Sequence, residues 1–164
     1  MKALLTLYFI IAYAHLNAQS EVAGHYRNYF GESMNIRTDS TFKYSWHFDL
    51  QGSWTNGEWR KTKDTIYFTM IPVYDTVRQT LKNGEIRDSL ILSIDEKPER
   101  ITVDLNVLYS GGQNIQPYPT KLLYRKNRLY EIDKNGKPYT KWRRGFWNKK
   151  KWPPWFIRVP AETN

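Results

Sequence analysis

The sequence predicts an all-β fold: an antiparallel up-and-down barrel of about eight to ten strands. Three observations lead there. Apolar residues recur at a period of two, and over no useful length at the helical period of 3.6. Turn signals fall between these runs at hairpin intervals. The 164 residues also include seven Trp, twelve Tyr and seven Phe, side chains that pack well on a pleated surface.

The clearest strand is Thr41 to Phe48. Phe42, Tyr44, Trp46 and Phe48 fall on one face, and Thr41, Lys43, Ser45 and His47 on the other. Burying each large ring is worth roughly 1.5–3 kcal/mol, so the aromatic face points inward. Asp64 to Met70 repeats the pattern, with Ile66, Phe68 and Met70 opposite Thr65, Tyr67 and Thr69. Arg100 to Leu105 does so again through Ile101, Val103 and Leu105. Thr38-Asp39-Ser40, Asn83-Gly84 and Asn135-Gly136 predict turns, since Asn-Gly tolerates the positive φ of a tight hairpin. Lys61 to Asp64 predicts another, and Gly111-Gly112 with Pro117-Tyr118-Pro119 a longer loop. Consecutive antiparallel strands with an apolar inner face favour closure into a barrel, which removes exposed edges. A two-sheet sandwich is the alternative, and periodicity does not separate the two.

Residues 1–18 have the form of an export signal. Met1-Lys2 is a short positive start, and Ala3 to Ala14 is an uncharged apolar and aromatic run. That run is too short for a bilayer, which takes about twenty residues. Cleavage is expected after Ala18, and Ala12-Tyr13-Ala14 offers a small-x-small site for a cut after Ala14 instead. The processed protein is then expected to be soluble, periplasmic or secreted, without a transmembrane segment. No cysteine is present, so neither disulfides nor a lipid-bearing cysteine contribute. Residues 19–144 are expected to form the barrel domain, and 145–164 a basic, Trp/Pro-rich tail lying on it or extending from it.

Gly24-His25-Tyr26, Ser33-Met34-Asn35-Ile36, Asp39-Ser40-Thr41-Phe42-Lys43-Tyr44, Gly52-Ser53-Trp54, Gly57-Glu58-Trp59 and Asp64-Thr65-Ile66-Tyr67-Phe68 together form a recognisable series. It resembles the small exported bacterial lipocalin-like (calycin-type) barrels, mostly of unknown function. There a Gly-x-aromatic strand precedes a D-x-x-F-x-Y hairpin, a G-x-W strand and a D-x-I strand. The resemblance covers residues 22–70. It implies an antiparallel barrel able to hold an apolar ligand, though fold alone does not define function.

Catalytic chemistry is poorly supplied. His25 and His47 are the histidines beyond residue 18, and nothing resembles a serine-nucleophile signature. His47 falls on the outer face of its strand. A zinc site from both histidines and a carboxylate lacks ligand spacing. Asp95, Glu96 and Glu99 flank Lys97-Pro98 in a hydrophilic turn, and Gly111-Gly112 lacks the residues of a phosphate loop. No enzyme activity and no cofactor are expected.

Two binding readings follow. In the first, Phe42, Tyr44, Trp46, Trp54, Trp59 and Phe68 line the barrel interior around a hydrophobic or amphipathic small molecule. The same rings equally suit a filled core. The second rests on charge. Residues 19–120 carry eleven Lys+Arg against thirteen Asp+Glu, whereas 121–164 carry thirteen against three. Lys141 to Arg158 holds seven basic residues, six aromatics and no acid. Arg143, Arg144, Lys149, Lys150, Lys151, Trp152 and Trp155 suit anionic lipid, lipopolysaccharide or acidic polysaccharide. Single-stranded nucleic acid shares the chemistry but is disfavoured by export. Pro153-Pro154 forbids a continuous helix there. Trp142, Trp152, Trp155 and Phe156 equally suit packing over the barrel mouth or an edge.

Overall fold

A computed structural model describes residues 21–102, 111–114, 119–147 and 149–160. They form fourteen strands. The first seven are β1 (Gly24–Arg27), β2 (Glu32–Ile36), β3 (Thr41–Phe48), β4 (Gln51–Thr62), β5 (Thr65–Met70), β6 (Tyr74–Thr80) and β7 (Ile86–Leu92). The others are β8 (Arg100–Thr102), β9 (Gly111–Gln113), β10 (Lys121–Arg125), β11 (Arg128–Tyr130), β12 (Arg143–Arg144), β13 (Lys151–Trp152) and β14 (Phe156–Val159).

Eight of these close an all-antiparallel barrel in the order β3-β2-β1-β14-β11-β10-β5-β4, with β4 returning to β3. The expected barrel is present, and the sandwich is not. Closure requires staggered strands, and the twelve-residue β4 supplies the stagger. Gln51–Glu58 pairs with β3 while Gly57–Thr62 pairs with β5. Gly57 sits at that handover, opposite both Phe42 and Met70. A Cβ there would lie 2.0 Å from the Thr69 carbonyl oxygen, so only glycine lets the backbones approach so closely. The short β9 pairs parallel with Gly52–Trp54, the part of β4 that β5 does not reach.

One part of the expected 145–164 tail is corrected: residues 156–159 neither lie on the barrel nor extend from it, because β14 is itself the barrel strand between β1 and β11. Phe156 is completely buried in the core, while Ile157 and Arg158 are exposed. The Pro153-Pro154 pair ends the preceding hairpin and delivers an extended chain to the sheet. Conversely, residues within 71–120 leave the barrel to build a small β7-β6-β8 sheet. The Asn83-Gly84 turn joins β6 to β7 as expected, with Gly84 at φ +83°. The expected strand at Arg100 is described through Thr102; its continuation to Leu105 lies outside the described residues. Gly111 and Gly112, expected in a loop, belong to β9, while Pro117 and Tyr118 lie outside the described residues.

Because barrel neighbours alternate in direction, the connections sort to two ends. The turns at 37–40, 63–64 and 126–127 share one end. Lys126 and Asn127 both take positive φ, 51° and 58°, which suits the right-handed twist of a two-residue hairpin. Residues 21–23 cross this end. Val22 inserts into the core, and the Tyr26 hydroxyl donates to its carbonyl at 2.6 Å. Lys61 pairs with Glu21 at 2.9 Å, and the Arg158 guanidinium donates to the Glu21 and Ala23 carbonyls. The opposite end carries the 28–31 and 49–50 turns and both long excursions.

Candidate functional site

Inward side chains form one packed cluster. It contains Phe42, Tyr44, Trp59 and Phe68 together with Val22, Tyr26, Met34, Ile36, Ile66, Leu122, Tyr124, Leu129 and Phe156. Phe42 meets Phe68 edge-on at 4.7 Å. Trp46 packs against the cluster from the rim, and its indole N–H donates to the Phe30 carbonyl at 3.1 Å. Val22, Tyr26, Met34, Ile66, Leu129 and Phe156 have no surface that water can reach, from outside or from an internal void. Side chains, not a chamber, fill the barrel at these residues.

Trp54 was expected with this group, and the structure places it elsewhere. It pairs across from Ser45, on the outward register with Lys43 and His47. Residues 93–99 cover it, and its indole N–H donates to the Ile94 carbonyl at 2.6 Å. Burial of Trp54 thus comes from a covering loop. Beside it Lys43, His47, Ile94 and Glu96 line a cleft of about 290 Å³, with Lys43 and Glu96 ion-paired. His47 is exposed, as expected for its face, and His25 accepts a hydrogen bond from Arg27 Nε at 2.9 Å. They lie on β3 and β1, separated by β2. Among the described residues no three His, Asp or Glu side chains are grouped as metal ligands. Glu96 is occupied by Lys43, and Asp75 rather than a second loop carboxylate accepts the Glu99 amide at 2.8 Å.

The basic aromatic stretch builds a defined surface at the end opposite Glu21–Ala23. Arg143 and Arg144 pair with Trp152 and Lys151 in a short hairpin of β12 and β13, tied by the Gly145 amide to the Lys150 carbonyl at 2.9 Å. Aromatic contacts fasten it to the barrel turns. Trp152 stacks on Tyr29 at 3.9 Å and 9°. Gly145 lies where a Cβ would press on both rings, at 3.0 and 3.1 Å. Phe146 meets Phe30 at 5.7 Å and Phe48 at 4.2 Å, and Trp147 lies over Phe48 at 5.8 Å. Trp155 packs between Tyr130 and Trp142, with the Arg128 guanidinium 5.7 Å from its ring.

Expected residues therefore divide by role. Arg144, Lys149, Lys150 and Lys151 are exposed, and Lys150 Nζ rests 4.2 Å from the Trp152 ring. Arg143 is engaged with Glu131 at 3.1 Å. Trp152 and Trp155 hold the hairpin in place with much of their surface covered. Trp142, named from the sequence, is half exposed, and three further exposed apolar groups were not singled out: Trp147 at 79%, Leu50 at 85% and the half-exposed Phe146. Their signal was readable in Gly145-Phe146-Trp147, set between basic Arg143-Arg144 and Lys149–Lys151, and in the Asp49-Leu50 turn after an alternating strand.

On the same end of the barrel lies a half-buried carboxylate, Glu32 of β2. The Tyr44 hydroxyl donates to Glu32 Oε1 at 2.9 Å, and the Asn28 amide donates to Oε2. Burial pushes the Glu32 pKa above the usual carboxylate range; these two hydrogen bonds oppose the shift, as does Arg143, while Glu131 adds to it. Asn28 also donates to the Pro154 carbonyl at 3.3 Å, linking this group to the chain entering β14.

No known family profile, curated protein or solved structure matches the chain.

Proposed function

We propose that this is a non-enzymatic, exported, lipocalin-like protein that attaches to an anionic surface through the β12–β13 hairpin. The observation carrying this reading is the cluster of Arg144, Lys149, Lys150, Lys151 and Trp147, all exposed on a hairpin fastened by stacked rings. From Lys141 to Pro160 there is no acid to neutralise it. Cations and an amphipathic ring presented together suit phosphate or carboxylate groups arrayed on an envelope surface. The leader-like residues 1–18 would deliver the protein to such a compartment, and the eight-stranded barrel accords with the lipocalin-like resemblance. A hydrophobic ligand inside the barrel is the weaker reading, since packed side chains occupy the proposed lining.

The test is cosedimentation with phosphatidylglycerol and with phosphatidylcholine vesicles across a salt series. Binding is expected to anionic vesicles, and to weaken as salt screens it. Each lysine near such a surface is worth about 1 kcal/mol. Replacing Lys149, Lys150 and Lys151 by Gln should therefore weaken binding on the order of a hundredfold. Binding unchanged by the triple substitution would reject the hairpin as the attachment site.

A further inference from the structure

We infer that the surface engaged is a lipid bilayer, and that the barrel meets it end-on through two loops: the β3–β4 turn bearing Leu50 and the β12–β13 hairpin bearing Trp147. This rests on the anionic-surface reading and narrows it to one partner. Two stretches almost a hundred residues apart in sequence converge here. Phe48 joins them, packing on Phe146 at 4.2 Å and under Trp147 at 5.8 Å. At the outer tips Leu50 and Trp147 are 85% and 79% exposed.

The composition of the tips discriminates between polyanions. An acidic polysaccharide is held by cations and by sugar rings against aromatic faces, and gains nothing from an aliphatic side chain at a turn tip. A bilayer takes both: Leu enters the acyl boundary, and Trp settles at the headgroup level with its apolar body down. Arg144 and Lys149–Lys151 belong to the same hairpin as Trp147, so their charges reach the phosphates when the ring does. Asp49, beside Leu50, is the single acid of the two tips, and the four exposed cations outweigh it. Asp49 also takes φ +55°, which turns the chain tightly and leaves Leu50 at the apex. Since Glu21–Ala23 cross the other end, the barrel axis stands away from the membrane with that end outermost.

The test compares Leu50→Ser, Trp147→Ser and the double variant carrying both with the unsubstituted processed protein, using phosphatidylglycerol vesicles and soluble alginate as probes. Both side chains are largely exposed, so folding is expected to be retained; matching thermal melts establish that. Each substitution should weaken vesicle binding about tenfold or more. Leu50→Ser should leave alginate binding unchanged, and the unsubstituted protein should keep salt-resistant vesicle binding that the double variant loses. Vesicle binding unaffected by either substitution, and wholly removed by salt, overturns bilayer insertion while the electrostatic reading stands. Binding to alginate but not to vesicles also overturns it, in favour of a polysaccharide. Binding to neither probe rejects the anionic-surface reading itself.

Discussion

Residues 141–160 mix structural and exposed aromatics, and Phe156→Ala against Trp147→Ala separates them. Phe156 is fully buried, faces inward from β14 and pairs in register with Leu129, itself fully buried. The neighbouring β1 and β11 backbones are fixed by ladder hydrogen bonds, so a cavity left at 156 has little means of collapsing. Loss of a buried Phe then costs about 3–5 kcal/mol, roughly a fifth or more of a typical domain stability of about 5–15 kcal/mol. Urea unfolding with a slope of about 1–3 kcal/mol/M should show a midpoint lower by on the order of 1–5 M. Trp147 is largely exposed, and its removal should change stability by no more than about 0.5 kcal/mol. Equal effects of the two substitutions, or a Phe156→Ala loss below about 1 kcal/mol, would refute β14 as a core-bearing closing strand.

Gly57→Ala should destabilise by about 1–3 kcal/mol in the same assay, because the new methyl must displace both the Thr69 carbonyl and the Phe42 ring; unchanged stability would show that β4 does not hand over there. For Glu32 the sign follows from its raised folded-state pKa. The native state binds this proton more tightly than the unfolded chain, so stability falls as pH rises from the ordinary Glu value through the raised one. Glu32→Gln should lack that step. Denaturant titrations over acidic to neutral pH should show wild type losing stability relative to the variant on alkalinisation, and a pH-independent difference would reject the assignment.

Strand content was legible where the two faces differ chemically. Thr41–Phe48 alternates rings with polar residues, and its inner Phe42 and Tyr44 are buried. Trp54 misled because a large apolar side chain was equated with an inward one. Positions 54 and 59 differ in parity, so a regular strand cannot turn both inward, and Trp59 holds the core position. Loop 93–99, which buries Trp54, announces itself in no local pattern. Phe156–Val159 escaped notice because four residues after Pro153-Pro154, within a basic stretch, carry too little alternation to read as a strand. Barrel and sandwich differ in which strands share hydrogen bonds, information absent from any single strand. At the proposed site the charges were readable from composition. Leu50, distant in sequence, joined them only through the fold.

Pairing of the first barrel strand with the last has a consequence for when this protein becomes a protein. β1 finds one partner at once in β2, but its other edge waits for residues 157–159. A chain threading out from its N-terminus presents the open edges of β1 and β11 to its surroundings until residues 156–159 have emerged. Its fold is therefore an event of completion: a chain truncated before Phe156 is left with an open sheet, whatever the quality of the strands already made.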